Sequence, residues 1–105
     1  MAAWDTAGQI YFSSIEVESG SIRKPVVAPG HGGARKHPAL AAHSNGDTLL
    51  TWTEGTGWER GGALVWQVFD AEGKAKPLHG RVDRGIGIWG LPAAVATPEG
   101  FLIFH

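Results

Sequence analysis

The sequence of 105 residues lacks cysteine, so neither disulfide bonds nor thiolate metal sites can stabilise its fold. It also lacks any apolar run near the roughly 20 residues of a membrane-spanning helix. Residues 1–5 contain no basic segment of the kind that opens a signal peptide. We therefore expect no membrane partner, no export signal in this chain, and a protein that stays in the cytosol of the cell that makes it.

A marked excess of charge of either sign is missing as well. The formal net charge is −1, and the basic residues are scattered along the chain rather than clustered. Such a chain produces no strong positive field that would attract a phosphate backbone. We therefore do not expect nucleic acid as a partner.

Apolar residues at helical spacing are absent, and short apolar runs bounded by turn residues take their place. Residues 38–42, 49–53 and 63–69 form three such runs, and the Asn-Gly dipeptide between the first two is typical of a β-hairpin. We call these strands A, B and C, and we expect a weaker fourth strand after Pro77. With 16 glycines and six prolines, the chain is predicted to be all-β.

The strand pattern occurs twice when the chain is read as a circle. Residues 91–96 repeat strand A and residues 101–105 repeat the start of strand B, which residues 2–4 of the other terminus would complete. Residues 8–15 then match residues 62–69. Pro38 and Pro92 are 54 residues apart along the chain and 51 residues apart around the join. A repeat of this length with four short strands is typical of a β-propeller blade.

The sequence therefore predicts one unit, 1–105, made of two four-stranded propeller blades. The first blade spans about 37–90, and the second is split between about 91–105 of one chain and 2–36 of a neighbouring chain. Because propellers use about four to eight blades, two blades must be completed by other copies. We expect a homotrimer of six blades in preference to a tetramer of eight. A truncated excerpt of a larger propeller, natural or designed, is the alternative.

The apolar residues expected to join neighbouring chains lie near the two termini. They are Trp4, Ile10, Phe12, Phe101, Leu102, Ile103 and Phe104.

Three segments resemble the sialidase-like propellers of the BNR, or Asp-box, type. They are residues 35–41 (RKHPALA), 49–55 (LLTWTEG) and 66–70 (WQVFD). The resemblance implies the propeller fold and favours six blades. The Asp-box pattern itself, Ser/Thr-x-Asp-x-Gly-x-x-Trp/Phe, is not met, and the single tyrosine, Tyr11, is predicted to lie within a strand. The resemblance therefore does not imply sialidase chemistry.

Loops at the mouth of a propeller's axial channel commonly hold its ligand, which suggests a second function. Arginine can bind a carboxylate through two hydrogen bonds, and tryptophan can stack on a sugar ring. The candidate ligand-binding residues are Arg35, His37, Glu54, Trp58, Arg60 and Trp89. Two structural interpretations compete with this one. Trp58 and Trp89 could cover the ends of the apolar core, and the arginines could form surface ion pairs with nearby glutamates.

The sequence favours a self-assembling structural module that is not an enzyme. The alternative function is binding of a carbohydrate or a small anion, and a hydrolase ranks third. No cofactor is expected. Five histidines are present, but none of the usual short spacings of metal ligands occurs, so no metal site is predicted either.

Overall fold

The computed structural model describes all 105 residues and contains nine β-strands and no helix. The strands are β1 (Ala2–Thr6), β2 (Gln9–Ser13), β3 (Val26–Val27), β4 (Lys36–Ala42), β5 (Thr48–Glu54), β6 (Gly62–Phe69), β7 (Ala75–Ile86), β8 (Ala93–Thr97) and β9 (Gly100–Phe104). They form three antiparallel sheets, in the orders β1-β2-β3, β4-β5-β6-β7 and β8-β9. The all-β prediction is confirmed. The structure contains no helix with the length and apolarity needed to cross a membrane.

The central sheet, β4–β7, follows the chain in order, and strands A, B and C are its first three members. Gly46 has a φ of 97°, and it occupies the turn predicted from the Asn-Gly dipeptide. The fourth strand differs from expectation, since it begins at Ala75 and is the longest in the chain. Register shifts in its pairing with β6 allow the longer strand to bend while it remains hydrogen-bonded.

The two smaller sheets contain the chain termini. The hairpin β1–β2 turns at Ala7 and Gly8, whose φ values are 51° and 76°, the pair of positive values that a type I′ turn requires. β1 consequently extends to Thr6, two residues beyond the segment 2–4 that the sequence predicts. At the other end, β8 and β9 form a separate hairpin. Both β1 and β8 lie against β4, the first strand of the central sheet.

The main core lies between the β1–β3 sheet and the central sheet. Ile10 and Phe12 of β2 are buried against Leu50, Trp52 and Phe69 of the central sheet. The rings of Phe12 and Phe69 have centroids 4.8 Å apart. Every residue of β5 is buried, which is the pattern of a strand covered on both faces.

The opposite face of the central sheet packs against the β8–β9 hairpin. Leu49, Trp66 and Val68 line a cavity of about 360 Å³ there together with Phe101 and Ile103. The indole of Trp66 lies over Gly80, its partner in β7, and an added Cβ at Gly80 would lie 2.2 Å from the indole. Gly80 therefore provides the space that the indole occupies.

We expect Gly80→Ala to lower the free energy of unfolding by about 1–3 kcal/mol, because the new methyl group must displace the Trp66 indole. Urea denaturation monitored by tryptophan fluorescence measures this change. Gly33→Ala is the matched control, since an added Cβ there meets no atom within 4 Å. Equal stability of the two variants would contradict the proposed packing of Trp66.

Candidate functional site

The structure separates the predicted ligand-binding residues into two groups. Arg35 and Glu54 form a buried ion pair, whereas His37, Trp58, Arg60 and Trp89 lie together around a surface cleft. Both groups depend on the end of the central sheet where β5 and β7 finish and where β4 and β6 begin. The two groups have different chemistry and are described separately.

Arg35 is 4% exposed, and each nitrogen of its guanidinium group donates a hydrogen bond. Nε donates to Oε2 of Glu54 at 3.0 Å, and Nη1 donates to the side-chain oxygen of Gln9 at 2.8 Å. Nη2 donates to the carbonyl of Pro29 at 2.8 Å. The guanidinium carbon also lies 5.1 Å from the ring centroid of Trp52. Arg35 thus links the first sheet to the central one.

Glu54 accepts hydrogen bonds on both carboxylate oxygens. Oε2 accepts from Nε1 of Trp52 at 2.9 Å as well as from Arg35, and Oε1 accepts from Nη1 of Arg81. Burial alone would raise the pKa of Glu54, but the hydrogen bonds from Trp52 and Arg81 and the charges of Arg35 and Arg81 lower it below its ordinary value. The carboxylate is therefore the charged centre of this network.

The glycine-rich segment before Arg35 crosses directly over this carboxylate. A Cβ added to Gly32 would lie 2.1 Å from the carboxyl carbon of Glu54, so only glycine allows the chain to pass so closely. An adjoining cavity of about 460 Å³ is bordered by this segment, by His79 and by Arg81. No buried side-chain polar atom lacks a hydrogen-bond partner. The hydrogen-bonding groups of Arg35 and Glu54 are thus paired within the chain.

The second group surrounds the indole cleft, which we define by His37, Trp58, Arg60 and Trp89. The two indole rings meet edge to face, with centroids 5.0 Å apart and an angle of 85° between their planes. Trp58 is 81% exposed and Trp89 is 67% exposed. The interpretation that these residues cover the end of the apolar core is therefore wrong.

Basic side chains border the indole cleft and acidic ones do not. Lys36, His37 and Arg60 line its volume of about 400 Å³, together with Leu91. Lys36 and Arg60 are exposed and form no ion pair, because the ion pairs of the structure involve Arg35, Lys76 and Arg81. Nδ1 of His37 is 3.3 Å from Oγ1 of Thr53, which leaves its other ring nitrogen free. The cleft therefore combines aromatic surface with unpaired positive charge.

The backbone around the indole cleft is held in an uncommon conformation. His37, Glu59 and Trp89 have φ values of 53°, 51° and 64°, in the left-handed region that side chains other than glycine seldom adopt. A bulky residue such as Trp89 is strained there. Such conformations persist only where the surrounding structure enforces them, so the loops position these side chains specifically.

The residues predicted to join neighbouring chains have different environments. Ile10 and Phe12 are buried in the core of the chain itself, so they are not available to a partner. Trp4 stacks on Tyr11 at a centroid distance of 6.0 Å on the other side of the first sheet. Leu102 and Phe104 are 52% and 57% exposed. Phe101 and Ile103 are half-buried beneath the hairpin.

The sequence could not identify several of the residues that complete these sites. Gln9 and Arg81 are far from Arg35 and Glu54 along the chain, and no local motif marks them.

No group of three or more histidine, cysteine, aspartate and glutamate side chains is arranged to hold a metal ion. Comparisons with protein-family models, with curated proteins and with solved structures found no match.

We expect Glu54→Gln to lower the free energy of unfolding by about 3–5 kcal/mol, because the buried charge of Arg35 would lose its partner. Asp83→Asn is the matched control. It removes a carboxylate that is 84% exposed and that pairs with the same Arg81, so a change of only about 0–1 kcal/mol is expected. Urea denaturation gives both values. A similar loss in the two variants would show that the buried ion pair contributes no more to the free energy of unfolding than the exposed one.

Acidification should destabilise the fold through two carboxylates. Hydrogen bonds and nearby positive charges lower the pKa of Glu54 below its ordinary value of 4.5, despite burial. The hydrogen bond from Lys76 lowers the pKa of Asp47 below 3.8. Groups whose pKa is lower in the folded state stabilise it above the unfolded pKa, and this contribution is lost as the pH falls through the folded pKa. Denaturation series from about pH 6 to about pH 3 should show that loss, with a shallower slope for Glu54→Gln.

Proposed function

We propose that the chain is a section of a β-propeller whose function is structural, and that it associates head to tail with copies of itself. The observation that carries this proposal is the order of the three sheets. The central sheet is covered by one sheet on each face, and each outer sheet has a further apolar face that nothing covers. A stack of this kind can continue through a second molecule.

The two end faces are rows of neighbouring side chains that are half-buried or exposed. On the first sheet, Trp4 and Tyr11 are cross-strand partners, and Val27 pairs with Tyr11 from the other side. On the hairpin, Leu102 pairs with Val95, which is 45% exposed. Side chains of directly paired residues lie on the same face of a sheet. Each end of the stack therefore has an apolar face of its own.

The end faces correspond to the two faces that already pack together inside the chain. In the repeat, residues 8–15 match residues 62–69, so Tyr11 corresponds to Val65 and its partner Trp4 corresponds to Trp52. Likewise Leu102 of the hairpin corresponds to Leu49 of the central sheet. Suppose that the hairpin of one copy and the first sheet of the next copy share a blade edge to edge. The Trp4 face would then pack on the central sheet of the hairpin's own chain, and the Leu102 face would pack on the central sheet of the other chain. Each contact would repeat a junction that the molecule already contains.

Such a contact uses different surfaces on the two partners, so it generates a closed ring when the rotation between copies divides the circle. Sharing one blade at each junction gives two blades per chain, and three chains then make six blades. Two strand edges support the sharing, since β1 and β9 each have one edge with no hydrogen-bonded strand. Unpaired edges of this kind favour pairing with another chain.

The pairing registers add one requirement to the shared blade. Ala2 and Ile103 both correspond to Leu50, and Ala3 and Phe104 both correspond to Thr51. The sequence had suggested that residues 2–4 of one chain continue the strand that β9 of the neighbouring chain begins. The registers instead show that the two termini would compete for two positions of that strand. In the ring, residues 1–3 leave the strand and β9 keeps these positions.

We expect native mass spectrometry to show a trimer for the 105-residue chain at about 10 µM, because single copies would leave both end faces in water. Leu102→Asp should give monomers, since it places a charge on the hairpin face. Val17→Asp is the matched control, because Val17 is 96% exposed in a turn outside both end faces. Deletion of residues 1–3 should leave the trimer intact.

Mixing two blocked variants tests the head-to-tail geometry. Leu102→Asp retains the Trp4 face and Tyr11→Asp retains the hairpin face, so equal amounts should form a one-to-one dimer although each alone is monomeric. Circular dichroism of each variant checks that it remains folded. A folded monomer from the unaltered chain at this concentration would overturn the proposal, and blocked variants that do not combine would exclude the head-to-tail contact.

A further inference from the structure

We propose that the indole cleft binds a carboxylated oligosaccharide. The cleft is separate from the end faces described above, because its residues come from the β5–β6 loop, from the β7–β8 loop and from the start of β4. The proposal therefore does not depend on the oligomeric state of the chain.

The indole rings determine the first part of the ligand's chemistry. Trp58 and Trp89 expose most of their surface, and their nearly perpendicular planes form two walls of one cleft. Large aromatic surface is costly to leave in water, and the apolar faces of sugar rings are among the groups that stack on it. The half of the repeat near the N-terminus has only the Ala7–Gly8 turn at the corresponding position, so the longer loop is not needed to form the hairpin.

The charged side chains of the cleft determine the second part of the ligand's chemistry. Lys36 and Arg60 are exposed and unpaired, His37 has a free ring nitrogen, and no carboxylate lines the cleft. The chain as a whole has a formal charge of −1, so this local excess of positive charge is not a property of the whole surface. Guanidinium and ammonium groups beside stacking indoles suit a sugar that carries a carboxylate.

The volume of the indole cleft limits the size of the ligand. The cleft holds about 400 Å³, which lies within the usual range of ligand-binding cavities and accommodates a short stretch of sugar units. Leu91, which is 62% exposed, provides a further apolar wall. We infer that one or two sugar rings contact the indoles while a carboxylate faces Arg60 and Lys36.

Isothermal titration calorimetry with a hexamer of galacturonate tests the proposal. The fully methyl-esterified hexamer is the control ligand, because esterification removes the negative charges and adds only one methyl group to each sugar unit. We expect submillimolar binding of the acid and at least tenfold weaker binding of the ester. Trp58→Ala and Trp89→Ala should each weaken binding of the acid about tenfold. Since both side chains are exposed, thermal melting should show that these variants remain folded.

Comparison of Arg60→Gln with Arg23→Gln distinguishes binding at a specific site from nonspecific attraction between opposite charges. Both variants remove one exposed positive charge, but Arg23 lies outside the cleft. We expect about tenfold weaker binding for Arg60→Gln and no change for Arg23→Gln. Equal effects of these two variants would overturn the proposal, as would equal affinity for acid and ester or no binding at millimolar ligand. Binding of a sulfated oligosaccharide that lacks carboxylates, without binding of the galacturonate hexamer, would overturn the carboxylate assignment.

Discussion

The structure depends on a strand that must be covered on both sides. All seven residues of β5 are buried, and successive side chains of a strand point to opposite faces of its sheet. Leu50 and Trp52 therefore require the first sheet, whereas Leu49 requires the hairpin. The outer faces of the two outer sheets also carry apolar side chains, and a single chain leaves these side chains in water. The apolar surface that remains at the two ends of the stack is the physical basis of the proposed self-association.

The buried ion pair of Arg35 and Glu54 joins the first sheet to the central sheet. The first sheet ends at β3, which has only two residues, and the chain that follows it crosses over Glu54 at Gly32. Arg35 and Glu54 lie in that region and are joined there to Gln9 of the first sheet and to Arg81 of the central sheet. A charged network holds the two sheets together where apolar packing ends. Such networks are sensitive to the loss of one partner, because the other charge stays buried.

Local patterns predicted the parts of the fold that short segments determine. The Asn-Gly turn, the apolar run of β5 and the order of strands A, B and C needed no long-range information. The contacts of Arg35 did need it, since Gln9 and Arg81 come from strands that only the fold brings near. The exposure of Trp58 and Trp89 was equally hidden, because a tryptophan in a loop can cover a core or face solvent. The resemblance to sialidase-like propellers stays a sequence resemblance, since no comparison adds to it.

The unequal lengths of two corresponding hairpin connections have a practical consequence. β1 and β2 are joined by the Ala7–Gly8 turn, the shortest link that antiparallel strands use, whereas residues 55–61 join β5 and β6 and bear Trp58 and Arg60. One half of the repeat therefore tolerates a long insertion at a position where the other half has none. Grafting a segment at Ala7–Gly8, two exposed residues, would give an engineered chain a second long loop at this end of the molecule.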